Sequence, residues 1–84
     1  MDFEIIWDRI EKCAGETFST VRGINFTYRI AGDTVVPEHT GFPISKNQVL
    51  KAYQMGPLNN PGQINRTVMG PAYVFAILTD ARIR

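Results

Sequence analysis

Apolar side chains near the start of the chain recur at the spacing of an α-helix. They follow the i, i+3, i+4, i+7 pattern that lines one helical face: Phe3, Ile6, Trp7, Ile10, Cys13 and Ala14. Charged residues fall mostly on the other face, and Gly15 stands where helices commonly end in a left-handed residue. The pattern predicts an amphipathic helix over residues 3–14.

A period of two replaces the helical period after this helix. Residues 16–21 are rich in β-branched and aromatic side chains, and apolar and polar residues alternate over residues 25–30. The dipeptide Arg22-Gly23 separates the two segments. We therefore predict two neighbouring strands joined by a short turn.

A third strand is predicted after the dipeptide Gly32-Asp33. Glycine is the residue that a two-residue type II′ hairpin turn needs at its first central position. β-branched residues follow over residues 34–36, and Pro37 ends the run. The three strands then form an antiparallel β-meander, and residues 38–43 form a loop.

A second helix is predicted from Ser45 to the dipeptide Gly56-Pro57. Ser45 and Gln48 stand at the spacing of a capping box, in which each side chain accepts a hydrogen bond from the backbone N–H of the other residue. The glycine-proline pair ends the helix because it favours a left-handed cap and removes a backbone donor.

The C-terminal third combines a loop with a strongly apolar segment. Residues 57–66 are loop-forming, with Pro61-Gly62 at the spacing of a type II turn. Gly70-Pro71 suits the cap and first position of a helix. Residues 72–78 are apolar throughout, a pattern that fits a helix or a buried strand. The glycine-proline start and the polar exit favour a third helix.

These elements predict an α+β fold. An N-terminal helix precedes a three-stranded antiparallel β-meander, and two C-terminal helices pack on one face of the sheet. The 84 residues, 44% hydrophobic and 20% charged, allow one globular domain over residues 1–84. No apolar run approaches the roughly 20 residues of a membrane span, and the acidic N-terminus is not typical of a signal peptide. We expect a soluble cytoplasmic protein with no membrane association.

The chemical inventory predicts no enzyme, metal or cofactor. One cysteine excludes an internal disulfide, and one histidine excludes a His/Cys zinc site within a single chain. Cys13 lies on the predicted apolar face, where a thiol is normally inert, and His39 stands on a loop with no identified partner. The chain has no acidic residue between Glu16 and Asp33 and no glycine-rich phosphate-binding motif.

The net charge of +1 hides an asymmetric distribution. Residues 1–16 contain five acidic and two basic residues, a balance of −3, whereas residues 17–84 contain seven basic and three acidic residues, a balance of +4. If the basic residues gather on one face, that face would suit a phosphate backbone; otherwise they are ordinary solvated charges. The candidate nucleic-acid-binding residues, including one tyrosine for base stacking, are Arg22, Arg29, Lys46, Lys51, Arg66, Tyr73, Arg82 and Arg84.

An alternative hypothesis is a protein-interaction or regulatory module: a small subunit, an immunity or anti-defence factor, or a homodimer. It predicts an exposed apolar patch around Phe42 and the loop over residues 57–66. Residues 68–73 join this loop to the apolar segment, and they form either a rigid entry into the core or the floor of a groove. The polar rim of such a groove would be Asn59, Asn60, Gln63, Asn65 and Arg66.

Three strings of the chain resemble a small uncharacterised bacterial domain type. They are TFSTVRG at residues 17–23, FTY at residues 26–28 and GPAYVFAIL at residues 70–78. The order of hairpin, helix start, loop and final helix is also similar to add-on modules seen near DNA-acting proteins of bacterial defence systems, in which a serine stands at the position of Ala72. This resemblance implies no catalytic residues.

Overall fold

The computed structural model describes residues 2–38 and 40–84. Its elements in chain order are α1 (Phe3–Lys12), β1 (Phe18–Ser19), β2 (Asn25–Phe26), β3 (Tyr28–Ile30), β4 (Thr34–Pro37), β5 (Ile44–Ser45), α2 (Lys46–Gln54), a 3-10 helix (Pro61–Ile64) and α3 (Pro71–Thr79). The α+β class and the order of the three α-helices are confirmed.

Helix α1 is amphipathic, as its spacing predicts. The Asp2 side chain accepts a hydrogen bond from the Glu4 N–H at 3.3 Å and caps the first turn. The helix ends at Lys12, earlier than predicted, because the chain turns toward Gly15 in a positive-φ conformation. The Gly15 N–H donates to the Tyr28 carbonyl at 2.9 Å, which ties the end of α1 to β3.

The strands form two small sheets, whereas a single three-stranded meander was predicted. β1 pairs with β2, and a separate antiparallel sheet has the order β3-β4-β5. The break falls at Thr27, whose carbonyl accepts from the Glu38 N–H at 2.9 Å and whose hydroxyl donates to the Glu38 carboxylate at 2.8 Å. Before Thr27, strand β2 pairs with β1. After Thr27, strand β3 pairs with β4.

The short strand β5 was not predicted. Thr34 lies opposite Ser45, and Val35 lies opposite Ile44. Ser45 is the N-cap of α2 and has extended backbone angles, so it can pair with β4 before the helix begins.

The predicted capping box of α2 is half formed. The Ser45 hydroxyl accepts from the Gln48 N–H at 3.2 Å, as expected. The Gln48 side chain does not complete the box with Ser45. It accepts instead from the Met69 N–H at 2.8 Å and so links α2 to the segment before α3.

The loop before α3 contains the 3-10 helix in place of the predicted type II turn. A type II turn needs a positive φ at Gly62, and this glycine does not have one. The Gln63 side chain accepts hydrogen bonds from the backbone N–H groups of Asn59 and Asn60, which stabilises the tighter helical turn. The apolar segment that follows forms the helix α3 and not a buried strand, as the sequence favoured.

Tyr28 occupies the centre of the core. Its side chain is fully buried, its ring lies 5.4 Å from the Phe18 ring, and its hydroxyl donates to the Ile10 carbonyl at 2.6 Å. Burial raises the pKa of this hydroxyl, so it remains a protonated donor. Helix α3 contacts β1, α2 and the 3-10 helix, and α1 contacts α2. All three α-helices contribute side chains to the same buried cluster as Tyr28.

No helix within residues 2–38 and 40–84 has the length and apolar character needed to cross a membrane.

The substitution Tyr28→Phe tests the buried hydrogen bond. It keeps the ring but leaves the Ile10 carbonyl without this donor, so we expect the free energy of unfolding to fall by about 1–3 kcal/mol. Urea denaturation followed by circular dichroism measures the change. Tyr73→Phe is the matched control, with an expected change below about 0.5 kcal/mol, because that side chain is only partly buried. Equal losses in the two variants would contradict the central role of the Tyr28 hydroxyl.

Candidate binding groove

A groove of about 510 Å³ lies between the β1–β2 turn and the start of α3. One wall comes from the turn over residues 20–24, and the other comes from the 3-10 helix and the first residues of α3. We call this depression the hairpin groove. Its lining residues are Thr20, Val21, Arg22, Ile24, Pro61, Gly62, Asn65, Pro71, Ala72 and Tyr73.

The β1–β2 turn is closed by hydrogen bonds among its own residues. The Thr20 N–H donates to the Ile24 carbonyl at 2.9 Å, and the Gly23 N–H donates to the Thr20 carbonyl at 2.9 Å. The Ile24 N–H donates to the Thr20 hydroxyl at 3.1 Å. The side chains of Val21 and Ile24 in this turn are 65% and 48% exposed. Two large aliphatic side chains are thus left uncovered along one wall.

The floor of the groove rests on a row of aromatic rings. Tyr73 packs edge-on against Phe26 at 4.9 Å between ring centroids, and Phe26 lies 6.0 Å from Phe18. Gly70, in a left-handed conformation with φ of 70°, begins α3 directly before this tyrosine. A Cβ atom at Gly70 would lie 3.3 Å from Cδ2 of Tyr73. Glycine at this position therefore permits both the turn into α3 and the close packing of Tyr73.

Arg22 is the one charged residue among the described residues that line the groove. Both walls come from parts of the chain without acidic residues, since neither residues 17–32 nor residues 39–79 contain an Asp or Glu. Arg66, also exposed, follows Asn65 at the edge of the groove. The local charge is therefore positive even though the whole chain is nearly neutral.

Arg82 belongs to a different part of the molecule, where it binds groups of its own chain. Its guanidinium donates to the Asp80 carboxylate at 2.9 and 3.0 Å, to the Glu16 carboxylate at 3.2 Å and to the Thr17 carbonyl at 2.9 Å. It also lies 4.0 Å from the centroid of the Phe18 ring. The hydrogen bonds from Arg82 lower the pKa of Asp80. These contacts join the C-terminal segment to β1 and give Arg82 a structural role.

Lys46 is also engaged within the chain. Its ammonium lies 3.1 Å from the Glu4 carboxylate and 5.5 Å from the Trp7 ring centroid, so it joins α2 to α1.

The other basic candidates lie at separate places. Arg29 is exposed on β3, Lys51 is exposed on α2, and Arg84 lines a second depression of about 530 Å³ between the ends of α2 and α3. Arg22, Lys46 and Arg84 each line a different depression. The structure brings only Arg22 and Tyr73, of the predicted set, into the hairpin groove.

The hairpin groove overlaps in part with the exposed apolar patch predicted around Phe42 and the loop over residues 57–66. Residues 61–65 contribute one wall, but Phe42, although 60% exposed, does not line the groove. Of the predicted polar rim only Asn65 lines it, because Asn59, Asn60 and Gln63 are hydrogen-bonded around the 3-10 helix. Val21 and Ile24 were not identified from the sequence as candidate binding residues. The signal in the sequence is a pair of aliphatic residues on either side of the predicted turn Arg22-Gly23, where neither belongs to a strand.

Reactive groups are sparse in the described part of the chain. Burial raises the pKa of the Cys13 thiol, with a further contribution from the Glu16 carboxylate, which disfavours the nucleophilic thiolate. No group of three or more His, Cys, Asp or Glu side chains that would suit a metal ion occurs within residues 2–38 and 40–84. His39 lies outside the described residues.

No protein-family model, curated protein or solved structure matches this chain. The function proposed below therefore rests on the residues of the groove and their surroundings. The resemblance to a small bacterial domain type stays a prediction.

The substitution Arg82→Gln tests the contacts between the C-terminal segment and β1. Loss of the ion pairs and of the cation–π contact should lower the free energy of unfolding by about 1–2 kcal/mol at neutral pH. The pKa of Asp80 is lower in the folded protein, so its contribution is complete above the ordinary Asp pKa of about 3.9 and is lost as the pH falls through the lowered value.

The difference between Arg82→Gln and the unsubstituted protein should therefore shrink in acid. Urea denaturation at about pH 7 and about pH 2 measures it, with Arg84→Gln as the control, for which we expect a change below about 0.5 kcal/mol. A difference that stays constant over this range would show that the Asp80 contact does not contribute.

Proposed function

We propose that the protein is a non-catalytic binding module that holds a short segment of a protein partner in the hairpin groove. The observation that carries this proposal is the pair of exposed aliphatic side chains, Val21 and Ile24, in one groove with the apolar side chains of Pro61, Pro71 and Tyr73. Apolar side chains gathered in a depression are typical of a surface that a partner covers.

The polar groups of the groove favour binding over catalysis. A general acid or base must lie within hydrogen-bonding distance of a reacting group, and the lining contains no carboxylate, histidine or cysteine among the described residues. The Thr20 hydroxyl is already bonded within its turn. Arg22, Asn65 and Tyr73 remain to orient a partner.

The size of the apolar surface indicates modest affinity. Complete burial of Val21, Ile24 and the Tyr73 ring contributes at most about 1.5–3 kcal/mol for each side chain. Association costs at least about 4 kcal/mol in lost translational and rotational freedom. These values leave a net contribution of at most about 5 kcal/mol, so we expect dissociation constants of about 0.1 mM or weaker.

Selection from a phage-displayed peptide library tests the proposal. Peptides enriched on the unsubstituted protein should bind it with dissociation constants of about 0.1 mM or weaker. They should bind the double variant Val21→Ser, Ile24→Ser at least about tenfold more weakly, because their apolar contacts are lost. Isothermal titration calorimetry with synthetic peptides measures the affinities.

The matched control for this experiment is the double variant Ile5→Ser, Phe42→Ser. It removes two apolar side chains of similar exposure, 49% and 60%, that do not line the groove. Thermal unfolding checks that both double variants are folded. A library that yields no enriched peptide, or peptides that bind both double variants equally, would contradict a binding role for the groove.

Single-stranded nucleic acid is a second candidate ligand, supported by the presence of Arg22 and Tyr73 in the same groove. An arginine for the phosphate and an aromatic ring for the base are the combination that such ligands use. This candidate involves only two of the eight predicted nucleic-acid-binding residues, and Arg22 is the one basic residue of the two. It is weaker than the first because Lys46 and Arg82 are engaged in ion pairs within the chain.

Fluorescence anisotropy with a labelled single-stranded oligonucleotide tests this second candidate. Binding should weaken steeply as salt increases, and Tyr73→Ala should reduce affinity by about 1–3 kcal/mol. Tyr53→Ala serves as a control because Tyr53 lies outside the groove, in the second depression. Absence of binding at low salt would exclude this ligand.

A further inference from the structure

We infer that the segment bound in the hairpin groove presents a carboxylate to Arg22 beside apolar side chains that cover Val21 and Ile24. This inference rests on the proposed function, because it specifies the chemistry of the same occupant. It identifies the partner as a peptide segment in which an Asp, a Glu or a terminal carboxylate adjoins aliphatic or aromatic residues.

The first argument is that Arg22 lacks a counter-charge of its own. Among residues 2–38 and 40–84, its guanidinium has no ion pair or hydrogen bond. Four carboxylates are already paired with other basic groups: Asp8 with Lys12, Glu4 with Lys46, and both Glu16 and Asp80 with Arg82. The Arg22 guanidinium is therefore free to pair with a carboxylate of a partner.

The second argument is that the two segments that form the walls of the groove contain no acidic residue. Residues 17–32 and 39–79 supply both walls and contain no acidic residue, so no nearby carboxylate in these segments repels an incoming anion. Arg66 next to Asn65 adds a second exposed positive charge at the edge. Electrostatic complementarity of this kind favours an acidic partner and orients its approach.

The third argument is that the apolar wall strengthens the ion pair. When a partner covers Val21 and Ile24, water leaves the surroundings of the adjacent Arg22, and the attraction between opposite charges increases as the local dielectric falls. The planar guanidinium offers parallel N–H donors that match the two oxygens of a carboxylate. Apolar and charged contacts therefore reinforce each other in one occupant.

The composition of the groove favours a peptide over an oligonucleotide. Five lining residues are aliphatic or proline: Val21, Ile24, Pro61, Pro71 and Ala72. Tyr73 is the one aromatic ring among the described lining residues, whereas base stacking uses successive aromatic platforms. The Tyr73 hydroxyl and the Asn65 side-chain amide, which have no hydrogen-bond partner in the described part of the chain, can bond to a peptide backbone.

A double-mutant cycle with peptides from the displayed library tests this inference. The enriched sequences should contain an Asp or Glu beside apolar residues. Arg22→Gln should weaken binding of a synthetic peptide about tenfold or more, and replacing the peptide's acidic residue by its amide should weaken binding to the unsubstituted protein equally. Combining both changes should cause little further loss. Arg29→Gln, which removes an exposed arginine of β3 outside the groove, should leave affinity unchanged.

The outcomes separate this inference from the proposed function. Peptides that need Val21 and Ile24 but lack an acidic residue, or that tolerate Arg22→Gln, would overturn the carboxylate and leave the groove as the binding site. An oligonucleotide that binds through Arg22 while no peptide is enriched would overturn both the peptide ligand and its carboxylate. Enrichment of no peptide, with no nucleic-acid binding, would overturn the proposed function and this inference together.

Discussion

The buried Tyr28 is the constraint on which the rest of the structure depends. Its ring fills the centre of the core, and its hydroxyl must find an acceptor there because an unpaired buried hydroxyl is costly. The Ile10 carbonyl at the end of α1 provides that acceptor, and the Tyr28 carbonyl in turn accepts from Gly15. One residue of β3 thus fixes both the position of α1 and the turn that follows it.

The same residue begins the aromatic row that supports the hairpin groove. Tyr28 packs on Phe18, Phe18 on Phe26, and Phe26 on Tyr73 at the groove floor. Arg82 lies over the Phe18 ring and fastens the C-terminal segment to this row. The groove is therefore built on packed core side chains, while its exposed wall is a short turn closed by its own hydrogen bonds. A rigid floor and uncovered aliphatic side chains together favour binding with little reorganisation.

The basic residues of this protein do not form one continuous basic face, because Lys46 and Arg82 pair with carboxylates of the same chain. The positive balance of residues 17–84 suggested a broad surface for nucleic acid, but Lys46 and Arg82 lie against carboxylates from the acidic N-terminal segment. The two halves of the charge asymmetry thus partly neutralise each other across the fold. Arg22 differs from the other basic residues because it lines the hairpin groove, whose two walls come from segments without acidic residues, and it gives the groove its local positive charge.

Local patterns in the sequence determined the α+β class, the helix α1, the Ser45 cap of α2 and the Gly70-Pro71 start of α3, because each depends on neighbours within a turn or two. Only the tertiary structure decided the break at Thr27, the use of Gln48 by Met69 and the partners of Arg82. These contacts join residues 11, 21 and up to 66 positions apart. The hairpin groove was likewise decided only by the tertiary structure. Val21 and Tyr73 lie far apart in the chain and line one groove because the aromatic side chains of β1, β2 and α3 pack together.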